Sequence, residues 1–268
     1  MTRYRHALPH LSDRVFLTDG GLETFLMFHE GRELPALASF CLLDDSAGRQ
    51  TLRRYFDAHL QIARDHGTGF VLESPTWRAS AAWAASTGRS PEEIDEANRR
   101  SIDFCEAIRK DWETDETPIV ISGCVGPQGD GYDPGEPMTR EQARDAHRRQ
   151  IRVFSETTAD LIAGITMTNA PEAIGLTWAA QEAAIPVAVS FTVETDGRLP
   201  TGQPLGEAIE EVDAATASGP AYYMVNCAHP SHFDRVLAGS GDWRRRIGGI
   251  QPNASRCSHA ELDEAPEL

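Results

Sequence analysis

Short apolar, β-branched runs recur along this chain, and between them lie longer segments whose apolar positions fall at helical spacing. Such alternation predicts a parallel sheet covered by helices. The runs predict strands at 15–18, 70–73, 119–123, 161–167, 187–193, 222–226 and 247–250. Helix starts are marked chemically. Ser90-Pro91-Glu92-Glu93 combines an N-cap serine, a proline at the first helical position and a capping-box glutamate, and Thr139-Arg140-Glu141-Gln142 repeats that logic with glutamine. In the first of these helices Ile94, Ala97, Ile102, Cys105 and Ile108 trace an apolar stripe, so Cys105 reads as a small buried hydrophobe with an inert thiol.

Seven strands of one polarity fit an α/β fold of the (β/α)8 TIM-barrel class whose eighth β/α unit is missing, better than a doubly wound open sheet. The expected organisation is one barrel domain over residues 1–268. A missing unit leaves open strand edges, which predicts either an eighth unit beyond Leu268 or a partner chain, a homo-oligomer included, over the gap. The tail 258–268 is acidic and begins like a helix, so it does not read as strand eight.

Composition narrows the function classes. With 40% hydrophobic residues among 268, the chain can bury a substantial core. No apolar run reaches the roughly 18 residues of a membrane span, and the N-terminus leads into polar sequence, so the expectation is a cytoplasmic protein without membrane contact. A formal net charge of −16 repels a phosphate backbone, which argues against nucleic acid as a partner. Five cysteines without a C-x-x-C pair suggest free thiols rather than a disulfide frame. No Gly-x-Gly-x-x-Gly follows the first strand, which argues against dinucleotide binding.

In a barrel, functional side chains stand at the C-terminal ends of the strands, here Asp19, Glu73, Gly123 with Cys124, residues 166–168, residues 192–194, Cys227 and Asn253. The run Tyr222-Tyr223-Met224-Val225-Asn226-Cys227-Ala228-His229-Pro230 is the most informative, because a β-type segment ends on a cysteine and then breaks. Read with Asp19-Gly20-Gly21-Leu22-Glu23-Thr24, it resembles the homocysteine S-methyltransferase family. Further blocks match in the same order: Glu73-Ser74-Pro75-Thr76-Trp77-Arg78-Ala79-Ser80, Ser122-Gly123-Cys124-Val125-Gly126-Pro127, Ser190-Phe191-Thr192-Val193-Glu194, and Gly248-Gly249-Ile250-Gln251-Pro252-Asn253.

The resemblance implies an S-methyltransferase of methionine biosynthesis, acting on homocysteine or a related thiol or selenol amino acid with a separate methyl donor. Relatives use betaine, S-methylmethionine, S-adenosylmethionine or folate donors, and no motif here chooses among them. It assigns Cys227 to a catalytic Zn2+ that activates the thiol and Asp19 to the substrate amino acid. Gly20, Gly21, Thr76, Trp77, Gly123, Thr166 and Asn253 are then expected around the substrate, with loop glycines turning backbone amides toward its carboxylate. Two departures stand out. Ile165 occupies the place of a family glutamate that meets the substrate amino group, and the family's Gly-Gly-Cys-Cys zinc motif is absent. A catalytic zinc site typically takes three protein ligands, so zinc is expected to bind weakly or not at all in this chain, with Cys124, His229 and Cys257 as substitute candidates. Two alternatives belong to other classes: a non-catalytic amino-acid-binding barrel, and a barrel enzyme without zinc chemistry that uses Asp19, Glu73 or Glu194 as acid–base groups.

Overall fold

A computed structural model describes residues 2–263 and places seven strands in one sheet in chain order. They are β1 (Phe16–Thr18), β2 (Gly69–Glu73), β3 (Ile119–Val125), β4 (Leu161–Met167), β5 (Val187–Phe191), β6 (Tyr222–Asn226) and β7 (Ile247–Gln251). A short turn α1 (Leu22–Thr24) follows β1, and the longer helices are α2 (Ser46–Asp65), α3 (Pro91–Trp112), α4 (Arg140–Ser155), α5 (Ala170–Glu182), α6 (Leu205–Thr216) and α7 (Pro230–Ala238). A single turn α8 (His259–Asp263) comes after β7. Each strand passes to the next through a helical crossover, which is the topology of the TIM-barrel class with seven of its strands among the described residues. The tail does begin as a helix, while residues 264–268 lie outside the described set.

Strands β2 to β6 are buried along their whole length, as expected of parallel strands covered on both faces. In β7 exposure alternates, and Ile250 is half exposed. The strand limits differ from the sequence reading in two useful places. β3 runs on to Val125, which puts Cys124 inside the strand instead of at its end, and β5 stops at Phe191, which leaves Thr192 to Glu194 in the following loop. Both predicted capping boxes form. The Ser90 hydroxyl accepts from the Glu93 amide while Glu93 accepts from the Ser90 amide, and Thr139 and Gln142 exchange the same pair of bonds.

The chain divides into two compact units, residues 1–125 with 149–162 and residues 126–148 with 163–268. In the first, β1, β2 and β3 pair in parallel, Thr18 opposite Val71 and Glu73 opposite Ser122. Gly69 leaves room there for the Phe16 ring, which lies 2.3 Å from where a Cβ would be. This unit is fastened by the buried Asp160 carboxylate, which accepts from the backbone amides of Arg3 (3.2 Å), Tyr4 (2.7 Å) and Ile121 (3.0 Å) and from the Arg109 guanidinium (2.6 Å). The Arg5 guanidinium donates to the carbonyls of Ser155, Thr157 and Ala159, which closes the N-terminal segment onto the loop before β4. In the second unit β5, β6 and β7 pair in parallel. Helix α5, buried along most of its length, packs so closely that a Cβ on Gly175 would stand 2.4 Å from the Arg144 amide nitrogen and 2.5 Å from the Arg140 carbonyl oxygen of α4. No helix among the described residues is long and apolar enough to cross a membrane.

Candidate active site

In the first unit the ends of β1 and β2 carry a group of carboxylates. Asp19, just beyond β1, is 7% exposed, and burial first, then the neighbouring Glu23 charge, pushes its carboxyl up to about 7. The Tyr55 hydroxyl opposes that rise by hydrogen bonding to Asp19, and the same hydroxyl accepts from the Gly20 amide at 3.1 Å. Glu73, the last residue of β2, is raised to about 8 by burial and then by the charges of Asp19 and Glu23. Glu23, on α1, is also raised by burial, against which the Ser39 hydroxyl donates to its Oε1 at 2.7 Å and Arg78 contributes an opposite charge. Gly20 and Gly21 are exposed, and neither adopts positive φ, so they leave open backbone beside the carboxylate without supplying a left-handed turn.

Two other expected substrate contacts of this unit are committed to the fold. The Thr76 hydroxyl donates to the Cys124 carbonyl at 2.7 Å and lies 2.7 Å from the Ser74 hydroxyl, tying the loop after β2 to β3. Gly123 makes room for Phe154 of α4, whose ring would stand 2.8 Å from an added Cβ. Trp77 does not stand alone: the Arg78 guanidinium carbon lies 3.9 Å from the ring centroids of both Trp77 and Trp83. Such indole faces stabilise a buried cation and set its direction.

In the second unit the informative group surrounds Cys227. This residue follows β6 with φ +51, and Thr166, in β4, has φ +63, the left-handed region that residues other than glycine enter at a cost of about 1–3 kcal/mol. Asn226 holds Thr166 at two points, its Oδ1 accepting from the Thr166 amide (3.1 Å) and its Nδ2 donating to Thr166 Oγ1 (2.8 Å). The Ser190 hydroxyl donates to the same Oδ1 at 2.6 Å. Cys227 is half-buried, and its Sγ lies 3.9 Å from Thr166 Oγ1, where the backbone is strained. Thr166 is itself buried with its amide and hydroxyl both engaged, which makes it a support for Cys227 in addition to a candidate substrate contact. Asn253 joins the same region through its amide, which donates to the Ala228 carbonyl at 3.0 Å.

His259, which the sequence reading did not single out, is 4% exposed and sits against this group. Its Nδ1 is 3.1 Å from Glu194 Oε1, its Nε2 is 3.0 Å from the Cys227 carbonyl and 3.1 Å from Thr192 Oγ1, and its ring stacks on Tyr132 at 4.1 Å. The glycine-rich loop after β3 has an internal carboxylate. The Gln128 amide donates to Glu172 Oε1 at 2.7 Å, His147 Nε2 donates to the same oxygen at 3.0 Å, and despite burial these bonds hold the Glu172 carboxyl below its usual range. At least this loop amide therefore faces a protein carboxylate in place of a ligand's.

The substitute metal candidates are not gathered. Cys124 is buried in β3, Cys257 is exposed, and His229 caps α7, its Nδ1 accepting from the Ser231 amide at 3.1 Å. Among the described residues no group of three or more His, Cys, Asp and Glu side chains is placed to hold a metal ion. One thiolate does not meet the coordination that zinc requires, so the described residues do not fit a zinc site of their own.

Comparison with known proteins places the chain in a family. The family described as homocysteine S-methyltransferase matches residues 16–267. Homocysteine S-methyltransferase 4 of Zea mays is 26% identical over 266 residues, covering 92% of this chain and 75% of that protein. The selenocysteine Se-methyltransferase of Brassica oleracea var. italica is 28% identical over 247 residues, covering 82% and 67%. In fold, the metallated crystal form of the homocysteine methyltransferase MmuM from Escherichia coli superposes with a TM-score of 0.69 at 18% identity, over 94% of this chain and 95% of that one. The chain belongs to the homocysteine S-methyltransferase family and is a methyltransferase-like enzyme of that family.

Proposed function

We propose that this protein transfers a methyl group to the sulfur of homocysteine, or to the sulfur or selenium of a related amino acid, in the cytoplasm. The relatives' names support that substrate class. The observation that carries the reading is the Asn226 clamp, which holds Thr166 in a left-handed backbone conformation beside Cys227, itself left-handed, with the Cys227 sulfur 3.9 Å from the Thr166 hydroxyl just past β6. Strain maintained by buried hydrogen bonds is characteristic of functional positions.

In the reaction the substrate sulfur attacks the methyl carbon, the new S–C bond forms as the bond to the donor breaks, and the thiol proton leaves to solvent. Asp19 orients the substrate through its ammonium, and the exposed Gly20–Gly21 backbone allows close approach there. Cys227 supplies at most one thiolate to any metal-assisted form of the chemistry, and no step here depends on a bound ion. The test is direct: incubate the protein with homocysteine or selenocysteine and each of betaine, S-methylmethionine, S-adenosylmethionine and a methylated folate, then quantify methionine or Se-methylselenocysteine by mass spectrometry. Catalytic product with one donor is expected; no product with any pair refutes the proposal.

A further inference from the structure

We propose that Glu73 joins Asp19 in binding the ammonium group of the amino-acid substrate, so that two carboxylates, one from each of the first two strand ends, hold that cation. This rests on the methyltransfer reading for the identity of the ligand and on the first unit alone for the geometry. β1 and β2 pair in parallel with Thr18 opposite Val71, which brings Asp19 and Glu73 to neighbouring C-terminal strand ends. The other carboxylates of the group have partners: the Tyr55 hydroxyl serves Asp19, and the Ser39 hydroxyl and the Arg78 charge serve Glu23. Glu73 is 9% exposed and its side chain has neither a hydrogen bond nor an ion pair among the described residues, although Asp19 and Glu23 both act on it electrostatically. Arg78 does not balance it, because that guanidinium is held against the Trp77 and Trp83 rings and acts on Glu23.

A largely buried carboxylate without a donor is costly, and three neighbouring carboxylates with the Arg78 charge acting on Glu23 leave an excess of negative charge. Protons relieve that excess when the site is empty; a ligand cation relieves it when the site is filled. A compact ammonium suits the arrangement, since its three N–H donors can be shared between the two carboxylates. Hard divalent cations instead demand about six oxygen ligands, and no group of three or more His, Cys, Asp and Glu side chains placed to hold a metal ion is formed among the described residues.

The experiment is calorimetric titration of wild type and the isosteric Glu73→Gln with homocysteine and with 4-mercaptobutanoate, which lacks the amino group, in buffers of different ionisation enthalpy. Glu73→Gln is expected to weaken homocysteine binding about ten-fold or more and to change 4-mercaptobutanoate binding by less than a factor of about two. Wild type should release protons on binding homocysteine, and the variant fewer. Equal losses for both thiols, or no loss for either, overturn the assignment. Thermal shift with methylammonium chloride against sodium chloride of equal ionic strength provides a readout independent of methyl transfer. If neither thiol binds but methylammonium stabilises wild type and not Glu73→Gln, the methyltransfer reading fails and Glu73 stands. If methylammonium has no specific effect on wild type, the role of Glu73 falls.

Discussion

Cys227 owes its setting to its neighbours more than to its own packing. Its side chain is half-buried, and the left-handed backbone there is held by hydrogen bonds on either side of it. Cys227→Ser should therefore change stability by less than about 1 kcal/mol while abolishing any metal-dependent part of methyl transfer, as read by denaturant unfolding beside the product assay with and without added zinc. A large loss of stability with activity retained would make the residue structural. Asp19 has a different signature. Its carboxyl is raised in the folded state, so between the unfolded value near 4 and the folded value of about 7 the folded protein binds more protons than the unfolded one, and stability falls as pH rises through that window. Removing the group with Asp19→Asn should flatten the decline by up to about 1.4 kcal/mol per pH unit, leaving the variant more stable than wild type at pH 8 and nearly equal at pH 4. Unfolding at pH 4, 6 and 8 checks the sign, and titration with homocysteine should show a loss of about 1–3 kcal/mol in binding. At this scale the sequence was only partly legible. Asp19 and Cys227 stand out because they end strands, whereas Tyr55, Ser39 and His259 reach their groups from positions distant in sequence and leave no local mark.

Elements were read more securely than residues, because a strand or a capped helix is specified by a short local pattern. The runs at 161–167 and 222–226 coincide with β4 and β6, and both capping boxes form as their spacing requires. The misplaced ends have one cause: hydrophobicity does not reveal where pairing stops, so Cys124 was placed beyond β3 and Val193 within β5. Packing between helices was also hidden. Gly175 looks like a weak point inside a helical pattern, yet it is where α5 meets the α4 backbone, and nothing local distinguishes the two roles. Gly175→Ala should destabilise the protein by about 1–3 kcal/mol despite alanine's better helix propensity, because backbone atoms at 2.4–2.5 Å cannot rotate away. An increase in the denaturation midpoint would show that α4 and α5 separate freely.

For the whole molecule, the −16 formal charge is the dominant electrostatic fact. Many arginines are already paired on the surface, Arg149 with Glu92 and Asp95, and Arg53 with Asp57 and Asp111, but isolated exposed pairs contribute little. Net repulsion therefore remains, and screening should relieve it. Raising sodium chloride from about 10 to about 200 mM is expected to raise the unfolding temperature at pH 8, with a smaller gain at pH 5, where carboxylates begin to protonate. A lower unfolding temperature with salt would mean that attractive pairs outweigh the repulsion.

The fastening of Arg3 and Tyr4 to Asp160 bears on how the chain is made. A ribosome releases Tyr4 more than 150 residues before Asp160, the separation being 156 positions, so the first unit cannot complete itself while its earlier strands emerge. Until β4 is synthesised, the amides of Arg3, Tyr4 and Ile121 and the guanidinium of Arg109 lack their common acceptor. Long closures of this kind slow folding and prolong the life of partly assembled chains. Translational pausing shortly after β4 leaves the exit tunnel would give this unit time to close before the second unit competes for space.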